Sequence, residues 1–95
     1  MKRSATKAEK AHMDAVASLG CLLCTMPAEI HHIRAGQGMG QRASNYEVLP
    51  LCPRHHRAEY REGFHRAPRT WQEAHGTERD LLAKVQRLLA ARGPR

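Results

Sequence analysis

Two short knuckles constrain this chain more than anything else in it: Cys21-Leu22-Leu23-Cys24 and Cys52-Pro53-Arg54-His55. A Cys-x2-Cys turn aims two thiolates at one point, and Cys52-x2-His55 supplies a further thiolate and an imidazole. Together they make the closed tetrahedral donor set that holds structural zinc. Residues 25–51 lie between them, enough chain for a hairpin that returns the second knuckle to the first. His56 competes with His55 for the fourth place, and the two-residue spacing favours His55. The set takes every cysteine in the chain, and an odd number of cysteines is a poor disulfide framework. The plainer alternative is three buried thiols without metal, and paired knuckles of this spacing weigh against it.

Composition agrees with a metal staple. The chain has 95 residues, which bounds it to one domain over residues 1–95, with its core over residues 20–76. One Trp, two Tyr and one Phe give a thin core, and a structural ion compensates for that. No apolar run is long enough to span a bilayer, and the basic N-terminus leads into no signal-peptide core. The default expectation is a reducing cytoplasm and no membrane. Lys and Arg number 16 against 9 Asp and Glu, a net charge of +7. Arginine is dense at Arg54, Arg57, Arg61, Arg66 and Arg69, beside the second knuckle. That balance suits a polyanion such as nucleic acid, although ordinary solubilising charge is the competing explanation.

Local signals predict an α+β order. Thr6 and Glu9 form a capping box, so a helix starts at Lys7, with Met13, Val16 and Ala17 on one face and Gly20 beyond its end. Residues 29–34 read as a strand, residues 35–44 as a Gly-rich loop and residues 47–51 as a second strand. Pro53 suits the first position of a helix expected to reach Arg61 and stop at Gly63. Residues 68–74 read as a short helix carrying Trp71. Thr77 and Asp80 cap a last helix whose apolar face is Leu81, Leu82, Val85, Leu88 and Leu89, ended by Gly93-Pro94. His31 and His32 are adjacent on a strand, so they point to opposite faces and cannot share one job.

Beyond the zinc set, His31, His32, Asn45 and His56 remain, and they suit an open metal site beside a general base. With the knuckles, the Gly-rich segment and Leu49-Pro50-Leu51-Cys52-Pro53-Arg54-His55-His56-Arg57, the chain resembles an HNH endonuclease. It is most similar to the phage recombination enhancement function (Ref-like) group, and Trp71-x3-His75-Gly76 is part of the likeness. The resemblance covers residues 20–76. It implies a ββα-metal (His-Me finger) core with flanking helices, a divalent metal, DNA phosphodiester cleavage, and a bacterial or phage-infected cytoplasm.

The resemblance also implies roles. His32 matches the general base that takes a proton from the attacking water. His31 and His56 match ligands of the catalytic metal. Asn45 matches the middle residue of the motif, placed in the second strand, where its side-chain carbonyl or the adjacent backbone holds the base imidazole in its productive tautomer. Some HNH enzymes carry another histidine four residues after the last ligand. Tyr60 stands there in this chain, and Glu59 is the neighbouring candidate. With only His31 and His56, the ion is weakly held and hydrated, which suits magnesium or manganese. Arg34, Arg42, Arg54, Arg57 and Arg61 are the candidate DNA contacts. His12, His65 and His75 read as surface or packing residues. The competing functions are a non-catalytic zinc-finger module that binds nucleic acid and a protein-interaction module using the Leu81–Leu89 face.

Overall fold

A computed structural model describes residues 4–36, 38 and 44–92. Helix α1 is Lys7–Ala17, strand β1 Glu29–His32, strand β2 Val48–Leu51, helix α2 Pro53–His56, helix α3 Pro68–His75 and helix α4 Glu78–Ala91, with a 3-10 turn at Phe64–Arg66. The architecture is α+β. None of its helices is long and apolar enough to cross a membrane.

The capping box forms as expected: Thr6 N–H donates to Glu9 Oε1 at 2.7 Å, and Glu9 N–H to Thr6 Oγ1 at 3.0 Å. At the other end of the chain, Thr77 Oγ1 accepts from Asp80 N–H at 3.1 Å and starts α4. Strands β1 and β2 pair antiparallel, with Glu29 opposite Leu51 and His32 opposite Val48. Both strands are shorter than predicted. Pro50 is tolerated in β2 because the sheet has two strands, so its outer side has no ladder to complete. Its carbonyl accepts from Leu22 N–H at 3.1 Å, which ties the first knuckle to the outer edge of β2.

Helices α1 and α4 pack on β2 and on each other. Val16, Ile33, Val48, Leu49, Leu51, Phe64, Trp71, Leu81, Leu82 and Val85 form the core. Trp71 is a packing residue, as expected. Leu89 is partly buried, whereas Leu88 is 38% exposed and lies at the margin of the predicted face. Gly93, Pro94, Arg42 and most of the Gly-rich loop lie outside the described residues.

The predicted helix from Pro53 to Arg61 is corrected to a single turn. Arg57 already has extended backbone (φ −83°, ψ 145°). Its guanidinium is bound to Glu29 on β1, and Gly63 returns against its carbonyl so closely that a Cβ on Gly63 would fall 1.8 Å from that oxygen. Turns at residues 57–63 replace the helix, with Tyr60 N–H donating to Arg57 O and Gly63 N–H to Tyr60 O. The fold-back delivers Phe64 and His65 to the buried His31 on β1, with ring centroids 4.5 and 5.1 Å from it.

Candidate metal centres

The knuckles converge. Donor atoms of Cys21, Cys24, Cys52 and His55 all lie within 4.8 Å of one another. Cys24 Sγ is 3.6 Å from Cys52 Sγ, and His55 Nδ1 is 3.2 Å from Cys52 Sγ and 3.6 Å from Cys21 Sγ. A tetrahedral zinc site has edges of about 3.8 Å between sulfurs and about 3.6 Å between sulfur and nitrogen, from its usual bond lengths. A sulfur separation of 3.6 Å is far beyond a disulfide, and all three cysteines are free. Burial opposes the Cys21 thiolate, but the backbone N–H groups of Cys52, Leu23 and Cys24 outweigh it and lower the pKa. This cluster can hold a metal ion such as zinc, and the donors fit it. Gly20 makes the turn possible: its φ is +79°, and a Cβ there would meet Thr25 O at 2.9 Å.

A second cluster gathers His31, His56 and His65, one donor atom each, again within 4.8 Å. The rings form a near-equilateral triangle, with centroids 5.1, 5.1 and 4.8 Å apart. His31 comes from β1, His56 from the end of α2 and His65 from the 3-10 turn. His56 Nε2 and His65 Nε2 are 3.2 Å apart. His31 Nε2 donates to Glu78 Oε2 and His56 Nδ1 to Glu29 Oε2, both at 2.6 Å. The opposite nitrogen of His31, Nδ1, is buried with no hydrogen-bond partner. Burial pushes all three histidines below their ordinary pKa, against the pull of Glu78 on His31 and of Glu29 on His56. Neutral imidazoles are metal ligands, and the donor set fits a cation.

His32 faces away from this cluster. Its Nε2 is 2.8 Å from Asn45 Oδ1. An amide oxygen only accepts, so Nε2 carries the proton and Nδ1 keeps its lone pair. Asn45 sits in the turn before β2, not in the strand as predicted. Ser44 shapes that turn: its carbonyl accepts from Glu47 N–H and its Oγ from Tyr46 N–H.

Residues 2–93 match the family described as "Protein of unknown function (DUF968)". The chain belongs to that family. No curated protein matches it.

In this DUF968 chain the predicted arginines among the described residues, Arg34, Arg54, Arg57 and Arg61, do not converge on one point. Arg34 borders a hollow shared with His65 and Glu78. Arg54 borders one on the knuckle side with Cys24, Cys52 and Tyr60, and Arg61 one with Trp71 and His75. Arg57 is committed to Glu29, with Nη2 to Oε1 at 2.8 Å and Nε to Oε2 at 3.1 Å. That pairing holds the Glu29 carboxyl below the usual range, with His56 helping. Tyr60 lies with the knuckles, and neither it nor Glu59 joins the histidine cluster. The third ring is His65, which is exposed as expected but is no bystander. Sequence reasoning also missed Glu78, which is 2% exposed. Its carboxylate accepts from Arg34 N–H at 2.9 and 2.8 Å and from Ala35 N–H at 2.9 Å, as well as from His31. Glu29 was legible: two residues before His31 on one strand, it must share that face.

Proposed function

We propose that this chain is a metal-dependent DNA endonuclease of the HNH type, with a structural zinc and a catalytic divalent ion. One observation carries the reading: the His32–Asn45 pair, with the lone pair of His32 Nδ1 left free, stands next in sequence to His31 of the three-imidazole cluster. In this reading β1, β2 and α2 are the ββα-metal unit. His32 Nδ1 takes a proton from water as its oxygen bonds to phosphorus, and the bond to the 3′ oxygen breaks. Asn45 holds the tautomer that leaves Nδ1 free. His31, His56 and His65 hold the divalent ion, for which sequence reasoning favoured magnesium or manganese. When bound, that ion stabilises the added charge on the phosphoryl oxygens and on the departing oxygen. The net charge of +7 supports a nucleic-acid substrate.

A non-catalytic zinc-finger module that binds nucleic acid is the second reading, favoured by the dispersal of the arginines. A plasmid-nicking assay with magnesium, manganese or EDTA, run beside His32→Ala, separates the two. The nuclease nicks only with metal, and the variant is inactive with its zinc content and DNA binding intact. Equal nicking by His32→Ala removes His32 as the base. Binding with no nicking under any metal establishes the second reading.

A further inference from the structure

Two carboxylates stand behind the histidine triangle. Glu78 accepts from His31 Nε2 and Glu29 from His56 Nδ1, each at 2.6 Å. These contacts fix the protons on the outer nitrogens, so His31 Nδ1 and His56 Nε2 are the nitrogens left to ligate. His31 Nδ1 is the telling atom: it is shut off from water and bonded to nothing. A buried polar atom left so is unfavourable unless a ligand claims it. The 3.2 Å between His56 Nε2 and His65 Nε2 matches two donors on one ion. For bonds of about 2.0–2.1 Å, the edge is about 3.0 Å in an octahedron and about 3.4 Å in a tetrahedron.

Neither carboxylate is free to turn inward. Glu78 is pinned by the N–H groups of Arg34 and Ala35, and Glu29 by the Arg57 guanidinium. Among the described residues the cluster therefore offers three nitrogens and no carboxylate oxygen. Magnesium prefers oxygen and keeps its waters, whereas imidazole suits the later first-row ions.

We propose that Glu29 and Glu78 are positioning residues for a three-imidazole site at His31, His56 and His65, and that this site selects a nitrogen-preferring transition ion over magnesium. This deepens the nuclease reading by naming the class of its ion. It rests on the divalent site of that reading and not on DNA as substrate. Glu78 opens α4, so the last helix of the fold sets the orientation of a ligand on β1.

The test is calorimetric titration of zinc-loaded protein with Mg2+, Mn2+, Co2+ and Ni2+, with zinc retention checked by elemental analysis. Affinity should rise in that order, and Ni2+ should bind at least 100-fold more tightly than Mg2+. Bound Co2+ should show d–d bands without thiolate charge transfer. His65→Ala and Glu29→Gln should each weaken Ni2+ by about 10–100-fold. Glu29→Gln should also shift the Co2+ bands while the zinc-loaded protein stays folded, its melt lowered only slightly because glutamine keeps a hydrogen bond to Arg57, and a merely structural role would not shift the bands. Glu78→Gln is the harsher variant because the residue is buried, so Glu29→Gln carries the decision. Ni2+ binding no tighter than Mg2+, or unchanged in Glu29→Gln, overturns the proposal. If Ni2+ binds as expected and no ion supports nicking, the site stands and the nuclease reading falls. If Mg2+ alone supports nicking and Ni2+ does not bind, the reverse holds.

Discussion

Replacing His55 and His56 separately by alanine should give opposite results, although the two are neighbours in one helical turn. Successive helical residues lie about 100° apart. His55 Nδ1 accordingly faces Cys52 and Cys21 at 3.2 and 3.6 Å, while His56 faces Glu29 and His65 at 2.6 and 3.2 Å. Structural zinc contributes about 10–16 kcal/mol in small zinc domains, comparable with the entire net stability of a domain, about 5–15 kcal/mol. Losing one of four ligands forfeits a large share of that. Even about 3 kcal/mol lowers the Tm of a chain this size by about 12–24 °C. His56→Ala deletes a mostly buried ring but leaves its partner Glu29 bound to Arg57, so about 1 kcal/mol, or about 4–8 °C, is the expected loss. Thermal melts with zinc analysis on both variants are the assay. His55→Ala should lose zinc and melt much lower; His56→Ala should keep zinc and lose binding at the second cluster. The opposite pattern would mean that the two histidines have exchanged sites and would refute the reasoning.

Two further outcomes follow from the fold and the charge. Gly63→Ala should unfold or severely destabilise the protein, because its Cβ would fall 1.8 Å from the Arg57 carbonyl oxygen; an unchanged melt would refute the fold-back at residues 57–63. DNA binding should weaken steeply as salt rises, since each phosphate neutralised releases counterions, and a binding constant flat between low and physiological salt would count against a polyanion partner.

What the sequence made legible is what short spacing encodes. The knuckles, the capping box at Thr6 and Glu9, the Thr77 cap and the alternation of His31 and His32 all depend on residues a few positions apart. Glu29 was readable by the same rule and went unread, because a carboxylate at a strand start is common. His65 and Glu78 carry no such signal. Glu78 reaches His31 across 47 positions, and nothing local distinguishes it from any acidic residue opening a helix. The length of α2 failed for a different reason. Ala58, Glu59 and Arg61 are good helix formers, but the Arg57–Glu29 pair and the approach of Gly63 override their propensity. That override is what carries His65 to the cluster, so the missed helix end and the missed ligand are one error.

The two clusters are therefore coupled through α2. Cys52 is both a knuckle donor and the residue that caps α2, and His55 lies in that same four-residue turn. A helix of one turn has little stability of its own, since nucleation is the costly step. An ion held by Cys52 and His55 fixes the turn at both ends, and with it the direction in which His56 points. The other two ligands are placed by other elements: His31 by β1 and Glu78, and His65 by the packing of Phe64 against Trp71, with centroids 5.2 Å apart. Emptying the knuckles should thus loosen His56 and weaken the histidine site, and by linkage an ion at the histidine site tightens the knuckle ion by the same factor. A closed site that orders the chain beside an open one that can exchange its ion is the division of labour this geometry supports.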